Sequence, residues 1–121
     1  MDTSALMMPV ECDVRLFDEL ERLLGEAEFI TPPAVIAELD RLATGASEEA
    51  TAASVGRDLA ERCRVVETDA SYADDALVEL ADCGECEYVV TNDQPLRDRL
   101  LERGVRVIGL RGRNTLNITQ P

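Results

Sequence analysis

Five carboxylates of this sequence stand where strands end or helices begin in the predicted secondary structure: Asp2, Glu38, Asp74, Asp75 and Asp93. Asp93 closely follows an apolar strand and Asp2 lies at the start of the chain, so both face the same edge if the sheet is parallel. Asp74 and Asp75 occupy the first turn of a predicted helix, whose partly positive end favours anions. Glu38 lies one turn into another helix, at the border of its apolar stripe. The pattern predicts a cluster of up to five carboxylates.

Such a cluster of carboxylates is electrostatically unfavourable by itself, because like charges repel and raise one another's pKa. The chain offers no His or Lys to compensate it, but a divalent cation removes the cost. Oxygen-only ligation selects Mg²⁺ or Mn²⁺ over Zn²⁺, and one or two such ions can activate a water for attack on a phosphodiester. Each acid also has a plainer interpretation: Asp74 and Asp93 as helix caps, Glu38 and Asp75 as solvated residues, and Asp2 as a disordered terminus.

The charge of the chain is strongly and unevenly negative. It has 25 acids against 12 bases, all of them Arg, for a net charge of −13. Adaptation to high salt is the favoured explanation of this excess, and an affinity for basic partners is the weaker alternative. At about 1 M salt the Debye length is only ~3 Å, so the net charge does not exclude binding to RNA. Residues 1–93 carry six Arg and 23 acids, whereas residues 94–121 carry six Arg and two acids. Each arginine of this basic end is either a contact to RNA phosphates or a solvated surface residue. The candidates for phosphate contacts are Arg97, Arg99, Arg111 and Arg113.

Short apolar runs alternate with amphipathic stretches along the chain, which is long enough for one domain, residues 1–121. Helices are predicted over residues 12–24, from Pro32-Pro33 to Ala43, from Ser47 to about Cys63, from a capping box at Ser71 to Cys83, and over 94–103. Strands are predicted at 29–30, 64–68, 88–91 and 105–110, followed by an irregular or hairpin-like end. This order predicts an α/β fold, a three-layer α/β/α sandwich around a mostly parallel sheet of four or five strands.

The four cysteines and the hydropathy pattern narrow the class of protein further. Only Cys83 and Cys86 have the spacing of a zinc knuckle, and no second pair completes a tetrahedral site. We therefore expect buried or incidental thiols. No apolar run reaches the roughly 20 residues needed to cross a bilayer, and no signal peptide is evident. The expectation is a cytoplasmic protein that does not associate with membranes.

Four stretches of the chain resemble the four acidic motifs of PIN-domain nucleases, in the order that the family has them. They are DTSALMMP from Asp2, PAVIAEL from Pro33, YADDAL from Tyr72 and VVTNDxxL from Val89. The resemblance covers essentially the whole chain. It is closest to the small archaeal and eukaryotic proteins that process ribosomal RNA, with the toxin ribonucleases of toxin–antitoxin pairs next.

The resemblance implies a metal-dependent endoribonuclease that cuts single-stranded RNA to 5′-phosphate and 3′-hydroxyl ends. It implies that four acids are catalytic and hold Mg²⁺ or Mn²⁺: Asp2, Glu38, Asp75 and Asp93. In the third motif either Asp74 or Asp75 can be the metal ligand. The spacing to the last motif favours Asp75, whereas the helical wheel places Asp74 on the inward side of the helix. Four polar residues resemble the shell that orients ligands and water: Thr3, Ser4, Thr91 and Asn92.

The chain departs from the family at its start, where only Met1 precedes Asp2 although an apolar strand normally leads into this acid. We expect either a first strand cut to a stub or a natural start further upstream. A missing strand leaves neighbouring edges unpaired, which predicts a homodimer or weak stability. The resemblance also implies an antitoxin or a ribosome-assembly protein as partner.

Two alternative functions compete with the nuclease. A PIN-like module that binds RNA or protein without catalysis agrees with the damaged first motif. A phospho-acceptor receiver domain also clusters Asp residues at strand ends, but it needs a Lys near the site and this chain has none.

Overall fold

A computed structural model describes all residues 1–121 of the chain. Six α-helices are formed: α1 (Thr3–Glu11), α2 (Leu16–Leu24), α3 (Pro33–Leu42), α4 (Glu48–Leu59), α5 (Ala73–Asp82) and α6 (Gln94–Glu102). Five strands alternate with them: β1 (Ile30–Thr31), β2 (Arg64–Val65), β3 (Tyr88–Val90), β4 (Arg106–Arg111) and β5 (Thr115–Thr119). The predicted α/β architecture is confirmed. None of the helices is long and apolar enough to cross a bilayer.

The strands form two hydrogen-bonded groups. Strand β1 pairs with β2 in parallel, and β3 pairs with β4 in parallel. Strands β4 and β5 form an antiparallel hairpin in which Arg111 stands opposite Thr115. Gly112 turns the hairpin with φ +74°, a left-handed conformation that glycine adopts without strain. The hairpin-like end of the chain is therefore a regular part of the sheet.

Met1 and Asp2 link the two groups of strands. The Met1 ammonium donates to the Ile30 carbonyl at 2.9 Å, and the Asp2 backbone N–H donates to the Val90 carbonyl at 3.1 Å. On the β1 side, the Thr31 hydroxyl donates to the Met1 carbonyl at 2.9 Å. A side chain makes this bond where a parallel ladder would use the N–H of the next residue, which is Pro32 and has none. These two residues therefore bridge β1 and β3 through backbone groups.

A groove of about 510 Å³ continues from Met1 between β1 and β3. Its walls are mostly apolar, and Leu77 and Leu80 of α5 form part of them. Alternate strand residues present their backbone groups to opposite sides. Since Thr91 bonds toward β4 and Val90 toward Asp2, the backbone of Val90 and Tyr88 faces this groove. The groove thus exposes backbone hydrogen-bonding groups of β3 between mostly apolar walls.

The core is built from Leu, Val, Ala and Met side chains, in keeping with the scarcity of aromatic residues. Helix α1 packs on α4, with Gly56 of α4 at the contact. A Cβ added at Gly56 would lie 2.9 Å from the Leu6 carbonyl oxygen. The lack of a side chain therefore lets the two helices approach closely.

The predicted element boundaries differ from the structure in several places, and strand β2, for example, is shorter than the predicted range 64–68. Residues 3–11 form a helix that the sequence did not suggest, with Pro9 inside it. The helix predicted over 12–24 begins only at Leu16. Asp13 adopts a left-handed φ of 53°, which is incompatible with a right-handed helix at that residue. The predicted capping box at Ser71 is wrong: Tyr72 is the N-cap residue of α5 and makes no side-chain cap.

Candidate active site

Asp2 is the buried centre of the predicted acidic site, with 3% of its surface exposed. One carboxylate oxygen, Oδ1, accepts the Thr3 backbone N–H at 2.7 Å and caps α1. The other, Oδ2, accepts the hydroxyls of Ser4 at 2.8 Å and Thr91 at 2.5 Å. A carboxylate oxygen accepts about two hydrogen bonds. Oδ2 is therefore fully used, and Oδ1 keeps one acceptor position.

The two hydroxyls connect Asp2 to the chain that follows β3. The Ser4 hydroxyl accepts the Asn92 backbone N–H at 2.9 Å, and the Thr91 hydroxyl accepts the Asp93 backbone N–H at 3.0 Å. Each hydroxyl has one hydrogen, which is already directed at Asp2. The 3.3 Å separation of the Ser4 and Thr91 oxygens is then a contact without a hydrogen bond. Both ends of the site are thus held in one network.

Asp93 occupies the predicted position at the start of α6. Its Oδ1 accepts the Leu96 backbone N–H at 2.9 Å, which makes Asp93 the N-cap of this helix. The structure gives Oδ2 no hydrogen-bond partner within the chain. Asp93 therefore combines the structural role, through one oxygen, with an oxygen that is free to bind a cation.

Asp74 lies among the other carboxylates of the site. Partial desolvation raises the pKa of Asp74, and the charges of Asp2, Asp93 and Glu38 raise it further, while Arg99 acts in the opposite direction. Asp74 therefore lies close enough to three acids from distant parts of the sequence for their charges to act on it.

Asp75 and Glu38 have cationic neighbours instead. Asp75 forms an ion pair with Arg99 at 2.8 Å, with 48% of its side chain exposed. Arg41 approaches Glu38 at 3.7 Å. Thr3, the remaining predicted polar residue, has the chain's one buried side-chain oxygen without a hydrogen-bond partner. Asp75 is thus neutralised by a direct ion pair with Arg99, whereas Asp74 forms no ion pair.

The donor set fits a hard divalent cation in its chemistry. It consists of oxygen atoms alone, it carries several negative charges, and Asp2 and Asp93 each keep an acceptor position. The carboxylates are not closed around a point, since no three acidic, thiol or imidazole side chains lie close enough to hold one ion. The four cysteines are free thiols. The acids therefore lie in one region but do not surround a single metal position.

The basic end of the chain lies beside the acids. Arg97 and Arg111 line a polar cavity of about 340 Å³ that begins at Thr91 and Asn92 and extends to the hairpin of β4 and β5. Arg99 faces Asp75 instead. Arg113 lies in the exposed turn of the hairpin and has no ion-pair partner. Of the four predicted arginines, two are thus brought together in a cavity.

Two features of this region were not among the predicted site residues. Asn117 of β5 lines the cavity, which only the pairing of β5 with β4 reveals. Tyr72 precedes the acid pair of α5 and is 76% exposed. The chain has only four Phe and Tyr residues in total. A tyrosine directly before the acids of the YADD motif was therefore a sequence signal for a residue that contacts a ligand.

Comparison with known proteins agrees with this arrangement. Residues 1–113 match a family model described as a PIN-like domain. The chain is 26% identical over 121 residues to ribonuclease VapC4 of Methanocaldococcus jannaschii, covering 97% of this chain and 92% of the relative. It is also similar to the solved structure of the PIN domain endonuclease Utp24, with a TM-score of 0.78, 23% identity, and coverage of 99% and 89% of the two chains. The chain belongs to the PIN-like domain family.

Proposed function

We propose that the protein is a Mg²⁺- or Mn²⁺-dependent endoribonuclease that hydrolyses phosphodiester bonds of single-stranded RNA. The observation that carries this proposal is the hydrogen-bond network that joins the buried Asp2 carboxylate to the backbone of Asp93 through the Thr91 hydroxyl. Asp74 lies close enough to Asp2, Asp93 and Glu38 for their charges, together with partial burial, to raise its pKa. The names of the two similar proteins, a ribonuclease and an endonuclease, support the same class of reaction.

In this proposal the acids hold the metal, and the surrounding polar residues hold the acids. Asp2, Glu38, Asp74 and Asp93 are the candidate ligands, with Asp75 beside them. The bound ion would supply charge for activating water and for stabilising the leaving oxygen. Ser4 and Thr91 keep the Asp2 carboxylate in one orientation through their hydroxyl hydrogen bonds. The Asn92 backbone N–H fixes the Ser4 hydroxyl in turn, and buried Thr3 closes the first turn of α1.

The arginines at the basic end are the proposed contacts to RNA phosphates. Arg97 and Arg111 stand beside the acids in the polar cavity, whereas Arg113 extends the basic surface along the hairpin. Arg99 is already paired with Asp75. Guanidinium groups bind phosphate oxygens through two parallel N–H donors. RNA lying along this side would therefore place a phosphate near the acids.

Metal addition and removal test the proposed reaction. A ligand that binds only the folded state raises its stability, so Mn²⁺ should raise the melting temperature of the protein. EDTA should abolish cleavage of a single-stranded RNA. Asp93→Asn keeps a helix cap but removes a negative charge. This variant should melt near the wild type without metal, and should lose the Mn²⁺-dependent rise and the cleavage. Full cleavage in EDTA would exclude the metal mechanism.

A second candidate function is a PIN-like module that binds RNA or protein without cutting. The open arrangement of the acids favours it, since no three of them are placed to hold one ion. Such a module would bind RNA equally well with and without Mn²⁺, and Mn²⁺ would leave its melting temperature unchanged. The same titration therefore separates the two functions.

The biological setting follows from the relatives only as a proposal. The VapC4 name is that of a toxin-type ribonuclease, which supports an antitoxin partner, and the likeness to Utp24 supports a role in RNA processing with ribosome-assembly partners. A homodimer remains the proposed assembly. Co-expression with a neighbouring small reading frame and a sedimentation measurement test partner and assembly.

A further inference from the structure

The polar cavity between α6 and the hairpin of β4 and β5 differs in charge from the rest of the molecule. The chain has a net charge of −13, yet none of the ten residues that line this cavity is acidic, and two are Arg. Its volume of about 340 Å³ lies in the range of small-ligand sites. The cavity is thus suited to an anion of modest size.

The donors of this cavity are largely free to bind a ligand. Arg111 forms no ion pair, and Arg97 has only long contacts, at 3.3 Å to Asp98 and 3.4 Å to Gln94. Asn117 uses its Oδ1 to accept the Ile118 backbone N–H at 2.9 Å, which leaves its amide N–H groups for another partner. Guanidinium and amide groups together match a phosphate joined to a base or ribose with polar edges.

The cavity begins where the acidic site ends. Asn92 lines it, and the Asn92 backbone N–H donates to the Ser4 hydroxyl that holds Asp2. Asp93, the next residue, keeps one free carboxylate oxygen toward the acids. A nucleotide in the cavity would therefore be adjacent to a phosphate held at the acids.

Tyr72, which precedes the acid pair of α5, exposes its ring to solvent. It is the N-cap residue of α5, two positions before Asp74, and the charges of Asp2, Asp93 and Glu38 act on Asp74. An aromatic ring that is 76% exposed contributes little to the core. Exposed aromatic rings in nucleic-acid-binding proteins stack on unpaired bases.

We propose that the acids lie between two nucleotide-binding features, so that a single RNA strand runs from a base stacked on Tyr72, across the acids, to a nucleotide in the cavity of Arg97, Arg111 and Asn117. This inference rests on the proposed function and names the parts of the strand that the site recognises. Both features need bases that are not paired, because a duplex would hide its ring faces and its base edges. The protein therefore selects single-stranded RNA by shape.

Binding without cleavage tests the proposal. A fluorescent single-stranded oligoribonucleotide of about ten nucleotides is titrated in EDTA at several salt concentrations, together with its duplex form. Arg111→Ala should weaken binding to the single strand and lower its salt slope by about 1. Tyr72→Ala should weaken binding about tenfold with an unchanged salt slope, and Tyr72→Phe should restore it. The duplex should bind more weakly than the single strand.

Arg103→Ala is the matched control, because it removes one positive charge at the opposite end of α6, where Arg103 pairs with Asp82 at 2.6 Å. It should bind RNA as tightly as the wild type. Equal losses for Arg103→Ala and Arg111→Ala would indicate a general charge effect and overturn the proposal, as would a Tyr72→Ala variant with unchanged affinity. Because this assay uses no metal, its failure is distinct from a failure of Mn²⁺-dependent cleavage, which concerns the acids.

Discussion

At the scale of single residues, adjacent acids of α5 have different surroundings. Partial burial and the charges of Asp2, Asp93 and Glu38 raise the pKa of Asp74, whereas Asp75 is paired with Arg99. A raised pKa means that the folded chain holds this proton more tightly than the unfolded chain does. Ionisation of Asp74 therefore lowers the free energy of unfolding as the pH rises through the folded pKa. Without a cation, the carboxylate cluster destabilises the protein at neutral pH.

Replacing each of the two acids by Asn, one at a time, tests which of them belongs to the metal site. Asp74→Asn should melt at or above the wild-type temperature in EDTA at neutral pH, because it removes repulsion, and it should lose most of the Mn²⁺-dependent rise. Asp75→Asn should keep more of that rise and lose only an exposed ion pair, worth about 1 kcal/mol or less. Calorimetry with and without Mn²⁺ measures both. A larger loss of Mn²⁺ response in Asp75→Asn would assign the ligand to Asp75, as the spacing of the motif suggested.

At the scale of elements, the contact between α1 and α4 positions the start of the acidic site. Asp2 is the N-cap of α1, and Ser4 lies in its first turn. Gly56 of α4 lies directly against the Leu6 carbonyl. A shift of α1 would therefore move the Asp2 carboxylate and its Ser4 partner away from Thr91. Helix packing and site geometry are coupled here.

Gly56→Ala tests this coupling. Alanine favours a helix by about 0.5–1 kcal/mol over glycine, but the added methyl group would lie 2.9 Å from backbone oxygen, and overpacking costs about 1–3 kcal/mol. We expect a net loss of stability in urea denaturation together with weaker Mn²⁺ binding. Ser54→Ala, at an exposed position of the same helix, should change stability by no more than about 0.5 kcal/mol. A Gly56→Ala protein as stable as the wild type would show that α1 adjusts freely.

At the scale of the whole molecule, a short central segment joins the two groups of strands. Met1 donates to the Ile30 carbonyl of β1 and Asp2 to the Val90 carbonyl of β3, and the groove of about 510 Å³ continues from Met1 between these strands. Burial lowers the pKa of the Met1 ammonium, because a charged group is desolvated there. A backbone amide in its place would keep the bond to Ile30 without that cost.

Extending the chain tests the role of the groove. Five or six apolar, β-branched residues added before Met1 should continue the segment as a strand between β1 and β3, with backbone partners on both sides. The melting temperature and the Mn²⁺ affinity should both rise, because the added strand also fixes Asp2. A Gly-Ser extension of equal length is the control and should change neither. Equal melting and Mn²⁺ binding of the apolar and Gly-Ser forms would show that the groove accepts no strand.

Local signals in the sequence determined much of the fold and part of the site. Asp93 caps α6, Pro33 begins α3 and Ser47 caps α4, as predicted. Caps, prolines and hydrophobic periodicity act between residues a few positions apart, so they are readable without the tertiary structure. The resemblance of four ordered motifs added the family.

Only the tertiary structure decided how the parts meet. The hydroxyl of Thr91 reaches Asp2 across 89 positions of sequence, and the pairing of β4 with β5 brings Asn117 to the cavity. Helical spacing left Asp74 and Asp75 open because the difference between them arises from charges on other elements. The helix at residues 3–11 was missed because its stability comes from packing on α4 and the core rather than from local preference. Contacts between distant residues depend on the sum of all packing choices, and no short stretch of sequence encodes that sum.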